Sequence, residues 1–69
     1  MDKEITFVYK HKDGIFVEFE DYIFNNIYKS FDAGFYFPTG EREINIPNSF
    51  KYDIINAFNK FNLNYTINE

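Results

Sequence analysis

Apolar and polar residues alternate at the start of the chain. This period of two holds over residues 5–9 and again over residues 15–19, and a Lys-Asp-Gly segment at 12–14 separates the two runs. Alternating runs joined by Asp-Gly predict a β-hairpin. A three-residue loop would set Tyr9 opposite Val17 and collect the apolar residues of both strands on one face. Because a two-residue turn would mix the two faces, we expect the three-residue loop.

The pattern then changes to a helical period. Between residues 21 and 31 the apolar side chains fall on one stripe of an amphipathic helix, made of Ile23, Phe24, Ile27, Tyr28 and Phe31. Acidic residues at its start and Lys29 near its end suit the helix dipole, and Gly34 is a candidate C-cap. A further strand is the alternative for this segment, because Ile, Phe and Tyr also favour strands. The single stripe makes a helix the preferred interpretation.

A second hairpin is predicted in the middle of the chain. Residues 35–37 and 42–46 form the strands, and Pro-Thr-Gly-Glu at 38–41 provides the turn. A four-residue loop sets Phe35 opposite Ile44, which again collects the apolar residues on one face.

A second helix and a last strand complete the chain. Asn48 or Ser49 can cap the helix. Its apolar stripe comprises Phe50, Ile54, Ile55, Phe58 and Phe61. Asn62 can end the helix, and residues 63–67 alternate as a final strand.

These elements predict one α+β domain over residues 1–69. The order is ββαββαβ, a small two-layer domain in which two hairpins and a C-terminal strand form an antiparallel sheet with two helices on one face. The chain has no Cys, so disulfides cannot stabilise it. Ten Phe and six Tyr supply the apolar bulk that so short a chain needs.

Charge and hydropathy narrow the range of partners. Eleven acidic and seven basic residues give a formal charge of −4, which disfavours duplex nucleic acid and anionic membranes but allows a basic protein partner. No apolar run approaches the roughly 20 residues of a membrane-spanning helix. No signal-type apolar stretch follows the charged N-terminal residues. We therefore expect a cytoplasmic location.

Candidate catalytic groups are sparse. The single histidine, His11, lies beside the predicted first turn, and an acid–base pair with Asp13 or Glu18 is one interpretation. A solvated turn residue is the simpler one. Glu18, Glu20 and Asp21 form an acidic cluster without the regular spacing of a calcium loop. We predict no catalytic residue, no metal site and no cofactor, and hence a protein that is not an enzyme.

The segment Gly34-Phe35-Tyr36-Phe37 resembles the aromatic strand of RNA-recognition domains, whose rings stack on bases. The resemblance covers these four residues. An Asp-Ala pair stands where that family has a basic residue, and the order of elements differs. Single-stranded nucleic-acid binding through exposed aromatics is therefore the alternative function, and it is the less expected one because no positive groove accompanies the rings.

The remaining aromatic residues indicate a contact surface. On the predicted strands Phe16, Tyr36 and Val8 point away from the core, and Tyr22 and Tyr52 fall outside their helical stripes. Apolar patches rimmed by charge mark interaction sites. The predicted partner-binding residues are Val8, Phe16, Glu18, Glu20, Tyr36 and Glu43.

This surface and the lack of catalytic groups predict a small acidic protein-binding module. It would act as an inhibitor or regulator that docks on a larger protein, of the kind that phages and mobile elements encode against host machinery. A homodimer through the same face is another form of this prediction.

Overall fold

The computed structural model describes residues 3–10, 15–31, 35–36 and 40–68, with residues 15, 16, 35 and 36 described by their backbone alone. Strands, helices and a short 3₁₀ turn follow one another along this part of the chain. They are β1 (Glu4–Lys10), α1 (Ile15–Asn26), β2 (Phe35–Tyr36), β3 (Glu41–Pro47), the 3₁₀ turn (Asn48–Phe50), α2 (Lys51–Lys60) and β4 (Tyr65–Asn68).

The strands form one antiparallel sheet in the order β2-β3-β1-β4. Phe7 of β1 lies opposite Ile44 of β3 on one side and opposite Ile67 of β4 on the other. Because β2 adds only two residues beside β3, the other three strands make up most of the sheet. An antiparallel sheet with two helices confirms the predicted α+β class, and the order of elements follows the prediction except at the second strand.

The core lies between the sheet and the two helices, which pack on the same face. Its buried members are Ile5, Phe7, Tyr9, Phe19, Ile23, Phe31, Ile44, Ile46, Ile54, Ala57 and Phe58. Phe58 of α2 is fully buried at the centre of a group of rings. Its ring centroid lies 4.5–5.4 Å from those of Phe7, Tyr9, Phe19 and Tyr65. Large interlocking rings give this disulfide-free chain the apolar burial that it needs.

The predicted strand over residues 15–19 is wrong, because this segment is the first part of α1. β1 pairs with β3 along one edge and with β4 along the other, so no edge of β1 is left for a hairpin partner. Tyr9 consequently lies opposite Arg42 and Tyr65 instead of Val17.

The helical stripe of α1 begins before residue 21. Phe19 and Ile23, which are four residues apart, are both fully buried, whereas Val17 is 50% exposed. Burial of residues four apart is typical of a helix, and it excludes the alternating strand predicted for residues 15–19. Glu18 and Glu20 therefore lie on a helix and not on the sheet.

The end of α1 also differs from the prediction, since the helix stops at Asn26 and not at residue 31. The N–H groups of Ile27 and Tyr28 both donate to the Ile23 carbonyl at 2.9 Å, so the last turn widens as the chain leaves the helix. Phe31 still reaches the core as predicted.

The second hairpin is present with a register shifted by one residue. Phe35 lies opposite Glu43 and Tyr36 opposite Arg42, whereas Phe35 was expected opposite Ile44. Gly40 has a φ of 88°, which glycine adopts without strain. The observed register therefore does not follow the apolar pattern from which it was predicted. The predicted turn at 12–14 and the predicted cap at Gly34 lie outside the described residues.

The second helix forms as predicted and ends at a Schellman motif. Asn62 has a φ of 56°, its N–H donates to the Asn59 carbonyl at 3.1 Å, and the Leu63 N–H donates to the Phe58 carbonyl at 2.9 Å. These are the two bonds of that motif, in which Asn is one of the few residues that tolerate the left-handed position. The prediction that Asn62 ends the helix is confirmed.

The start of α2 differs from the prediction. Asn48 and Ser49 belong to the 3₁₀ turn, and the residue at the N-cap of α2 is Phe50, which makes no side-chain capping hydrogen bond. The 3₁₀ turn brings the chain from β3 into α2 and takes the place of a side-chain cap. With twelve and ten residues, α1 and α2 are both too short to cross a membrane, and the described chain has no longer helix.

Candidate functional site

A buried polar cluster joins α1 to the sheet. Glu20, which is 9% exposed, accepts hydrogen bonds at Oε2 from the Tyr9 hydroxyl and from Nε of Arg42. Its Oε1 accepts a bond from Nη2 of Arg42 at 2.9 Å, so the ion pair is bidentate. Because Tyr9 belongs to β1 and Arg42 to β3, one carboxylate ties α1 to both central strands.

The surroundings of this cluster fix its protonation. Burial, reinforced by the hydrogen bond to Glu20, raises the pKa of the Tyr9 hydroxyl far above its usual range. The hydrogen bonds to Glu20 also raise the pKa of the Arg42 guanidinium. A hydroxyl that keeps its proton and a guanidinium that keeps its charge are permanent donors to Glu20. The cluster is therefore built to hold two layers together, and neither donor is suited to act as a general base.

The sequence contained one overlooked sign of this cluster. Arg42 alternates in phase with Ile44 and Ile46, which places it on the core-facing side of β3. An arginine in that phase needs a carboxylate partner, because a buried charge is tolerated only when it is paired. The partner itself could not be chosen from sequence, since Glu20 falls at the junction between the strand predicted over residues 15–19 and the helix predicted from residue 21.

The predicted partner-binding residues divide between two parts of the molecule. Val8 and Glu43 lie opposite each other on β1 and β3, and both are half-buried. Glu18 is exposed on α1, whereas Glu20 is held in the buried cluster. The structure therefore brings Val8 and Glu43 together and separates them from Glu18.

The two aromatic residues of the predicted contact surface belong to different elements. Phe16 lies in α1, and Tyr36 lies in β2 opposite Arg42. Their side chains are outside the described part of the structure, so their role in contact remains a prediction.

The outer face of the sheet, opposite the helices, is a surface that the described elements leave uncovered. Alternation along the strands assigns to it the residues Glu4, Thr6, Val8, Lys10, Glu41, Glu43, Asn45, Pro47, Thr66 and Asn68. Thr6 donates a hydrogen bond to Oδ1 of Asn45 at 2.6 Å across the β1–β3 pair. We call this surface the outer face. It is polar, with three acidic residues and one lysine, and Val8 is the apolar side chain near its middle.

The helical layer exposes three large apolar side chains. Tyr52 is 74% exposed, as its position outside the α2 stripe predicted, and Val17 is 50% exposed. Phe24, which was predicted to be buried, is 47% exposed. Tyr22 is half-buried, with its ring centroid 5.6 Å from that of Phe61 and 5.6 Å from Nζ of Lys60. Phe24 belongs to α1 and Tyr52 to α2, and single exposed apolar side chains are common on protein surfaces.

Two shallow grooves cross the described surface. One of about 630 Å³ lies beside the start of β4 and is lined by residues of β1 and by residues 61–66. The other, of about 400 Å³, lies between α1 and α2, with Tyr22, Asp53 and Lys60 among its walls. Both are open, and polar atoms make up about half or more of their lining, unlike the enclosed apolar pockets that bind small molecules.

Candidate metal and acid–base chemistry finds little support in the described chain. His11 and Asp13 lie outside it, so the acid–base pair remains an untested interpretation. Among the residues that the structure describes, no three acidic or histidine side chains are grouped to hold a metal ion.

Comparison with protein-family models, with curated proteins and with solved structures found no match.

Proposed function

We propose that this protein is a non-enzymatic binding module that docks on a larger protein through the outer face of its sheet. The observation that carries the proposal is the position of Val8. It lies near the middle of an uncovered sheet face, with Glu43 on one neighbouring strand and Thr66 on the other. A half-buried apolar side chain among polar ones is the usual anatomy of a protein contact site.

The charge of the outer face indicates the kind of partner. Glu4, Glu41 and Glu43 occupy outward positions on β1 and β3, against the single Lys10. The whole chain carries −4. A surface of this sign complements a basic protein surface and repels phosphate. The same charges weigh against nucleic acid, because single-strand binding needs a positively charged groove beside its aromatic rings.

Steric blocking is the mode of action that this geometry suits best. The domain is small, and both of its helices lie behind the sheet, so the outer face can cover a partner's surface without rearrangement of the core. We propose that it acts in this way as an inhibitor or regulator, in the manner of proteins that phages and mobile elements direct at host machinery. Since the chain has no Cys, it suits the reducing cytoplasm.

The test compares two glutamates that differ in location. Glu43→Lys reverses a charge on the outer face, and Glu18→Lys makes the same change at an exposed position of α1. Affinity capture from host lysate, followed by a binding titration with the purified partner, should show binding that Glu43→Lys abolishes and Glu18→Lys leaves within about threefold.

The opposite ranking of the two variants would assign the contact to α1 and contradict the proposal. Binding of single-stranded DNA or RNA at low salt, with steep loss as salt is raised, would replace the proposal with the nucleic-acid alternative.

A further inference from the structure

The two edges of the sheet differ in how they are protected. At one edge, β2 contributes only two residues, Phe35–Tyr36, and Pro38 follows in the sequence. Short edge strands and proline are common devices against unwanted strand pairing. At the other edge, β4 presents four residues, Tyr65–Asn68, with no proline and no charged side chain. β4 itself therefore lacks the proline and the charged side chains that commonly protect an edge strand.

The β4 edge also leaves part of the core open. Leu63, Tyr65 and Ile67 are half-buried and alternate with exposed polar residues. Tyr65 packs with its ring centroid 4.6 Å from that of Phe58, and Ile67 pairs with Phe7 on β1. A further strand beyond β4 would cover the remaining exposed parts of this apolar row.

Charge favours a second copy of the chain as the source of that strand. Residues 61–68, Phe-Asn-Leu-Asn-Tyr-Thr-Ile-Asn, contain no charged residue, although charged residues make up 26% of the chain. Two molecules that each carry −4 repel each other over most of their surfaces. The uncharged β4 edge is where two copies can approach with the least repulsion.

The side-chain pattern also permits self-pairing in a definite register. Residues directly opposite each other in an antiparallel pair point to the same face. A twofold axis at Thr66 sets Tyr65 of each copy opposite Ile67 of the other, on the helix side of the sheet. The same axis sets Asn64 opposite Asn68. Aromatic and β-branched pairs of this kind stabilise neighbouring strands, and no like charges meet.

We propose that two copies of this chain pair antiparallel through β4, with Thr66 at the twofold axis, so that the two sheets join into one. All four helices of the dimer then lie on one face of the joined sheet, and the two outer faces form one continuous surface. Because the pairing involves few residues, the dimer is weak and forms in a concentration-dependent way.

The experiment measures the mass of the pure protein by sedimentation equilibrium over a concentration series reaching about 1 mM, which detects even a weak dimer. Thr66→Lys and Thr66→Glu each place two like charges at the axis, and each should raise the dimer dissociation constant about tenfold or more. An equimolar mixture of the two variants should restore dimers, because opposite charges then meet. Asn25→Lys, which adds the same charge at an exposed position of α1, should leave the dissociation constant unchanged.

Three outcomes would overturn the proposal. The wild-type protein stays monomeric across the whole series, or it forms dimers that Thr66→Lys and Thr66→Glu leave intact, or the mixture of variants fails to restore the dimer. The last result would mean that Thr66 of one molecule does not lie opposite Thr66 of the other. Circular dichroism of each variant separates loss of pairing from loss of fold. Since only the pure chain is used, failure here leaves the proposed docking on a larger protein untouched.

Discussion

Replacement of Glu20 by alanine tests the buried cluster most directly. Glu20→Ala leaves the Arg42 guanidinium and the Tyr9 hydroxyl without the acceptor that they share. Breaking a buried ion pair from one side typically costs about 3–5 kcal/mol. The side chains of Arg42 and Glu20 retain 14% and 11% exposure, so water can partly hydrate the freed charge. We therefore expect a loss of about 2–4 kcal/mol in the free energy of unfolding.

A loss of this size would be large for this protein. At roughly 0.05–0.15 kcal/mol per residue, a domain of 69 residues has a total stability of about 3–10 kcal/mol. Each kcal/mol corresponds to about 4–8 °C in the melting temperature of a domain this small. Urea unfolding and thermal melting followed by circular dichroism should both report the change.

The matched control is Glu18→Ala, which removes the same side chain from an exposed position two residues away on the same helix. We expect it to change the free energy of unfolding by less than about 0.5 kcal/mol. If both variants lose the same stability within that margin, Glu20 is not the anchor of α1 and the reasoning is refuted. As a separate check, a double-mutant cycle of Glu20→Ala with Arg42→Met should show a coupling free energy of at least about 1 kcal/mol.

Three further predictions concern other parts of the fold. Because the pKa of Tyr9 is raised in the folded protein, only the unfolded chain releases this proton above about pH 10. Above that pH, the free energy of unfolding of the wild-type protein should fall more steeply than that of Tyr9→Phe, by up to about 1.4 kcal/mol per pH unit. Parallel curves for the two proteins would contradict the assignment. Phe58→Ala should cost about 3–5 kcal/mol in urea unfolding, with Tyr52→Ala as an exposed control that costs little, and equal losses would show that the ring cluster is misplaced. Asn62→Val should lower the free energy of unfolding by about 1–2 kcal/mol, because valine is strained at a positive φ, whereas Asn62→Gly should not lower it. Similar melting temperatures for the two variants would exclude the left-handed cap.

The sequence alone was sufficient for the fold class and for most of the core. Period and spacing identified β1, α2 and β4, because each has one apolar stripe and a clear end signal such as Asn62. Phe58, Phe19 and Phe7 were all assigned to the interior from their phase, and all three are fully buried.

The failure at residues 15–19 has a specific physical cause. The letters Ile-Phe-Val-Glu-Phe satisfy a period of two and a helical period at once, so a short window cannot distinguish them. Long-range pairing decided the matter, because β3 and β4 occupy both edges of β1. Nothing local to residues 5–19 carries that information. The register of β2 differs from the apolar pattern by one residue, so that pattern was not sufficient to fix the pairing.

The change from strand to helix moves the acidic residues to different parts of the molecule. If the predicted strand over residues 15–19 continued to residue 20, Glu18 and Glu20 would share one surface with Glu43, as a single acidic rim. As a helix, the segment sends Glu20 into the interior, where Arg42 neutralises it, and leaves Glu18 on the far layer. The negative charge that a partner can contact on the sheet is therefore that of Glu43 and the other glutamates of β1 and β3. Binding and stability consequently depend on different glutamates: Glu43→Lys should abolish capture without loss of stability, whereas Glu20→Ala should lower the free energy of unfolding and leave the outer face unchanged.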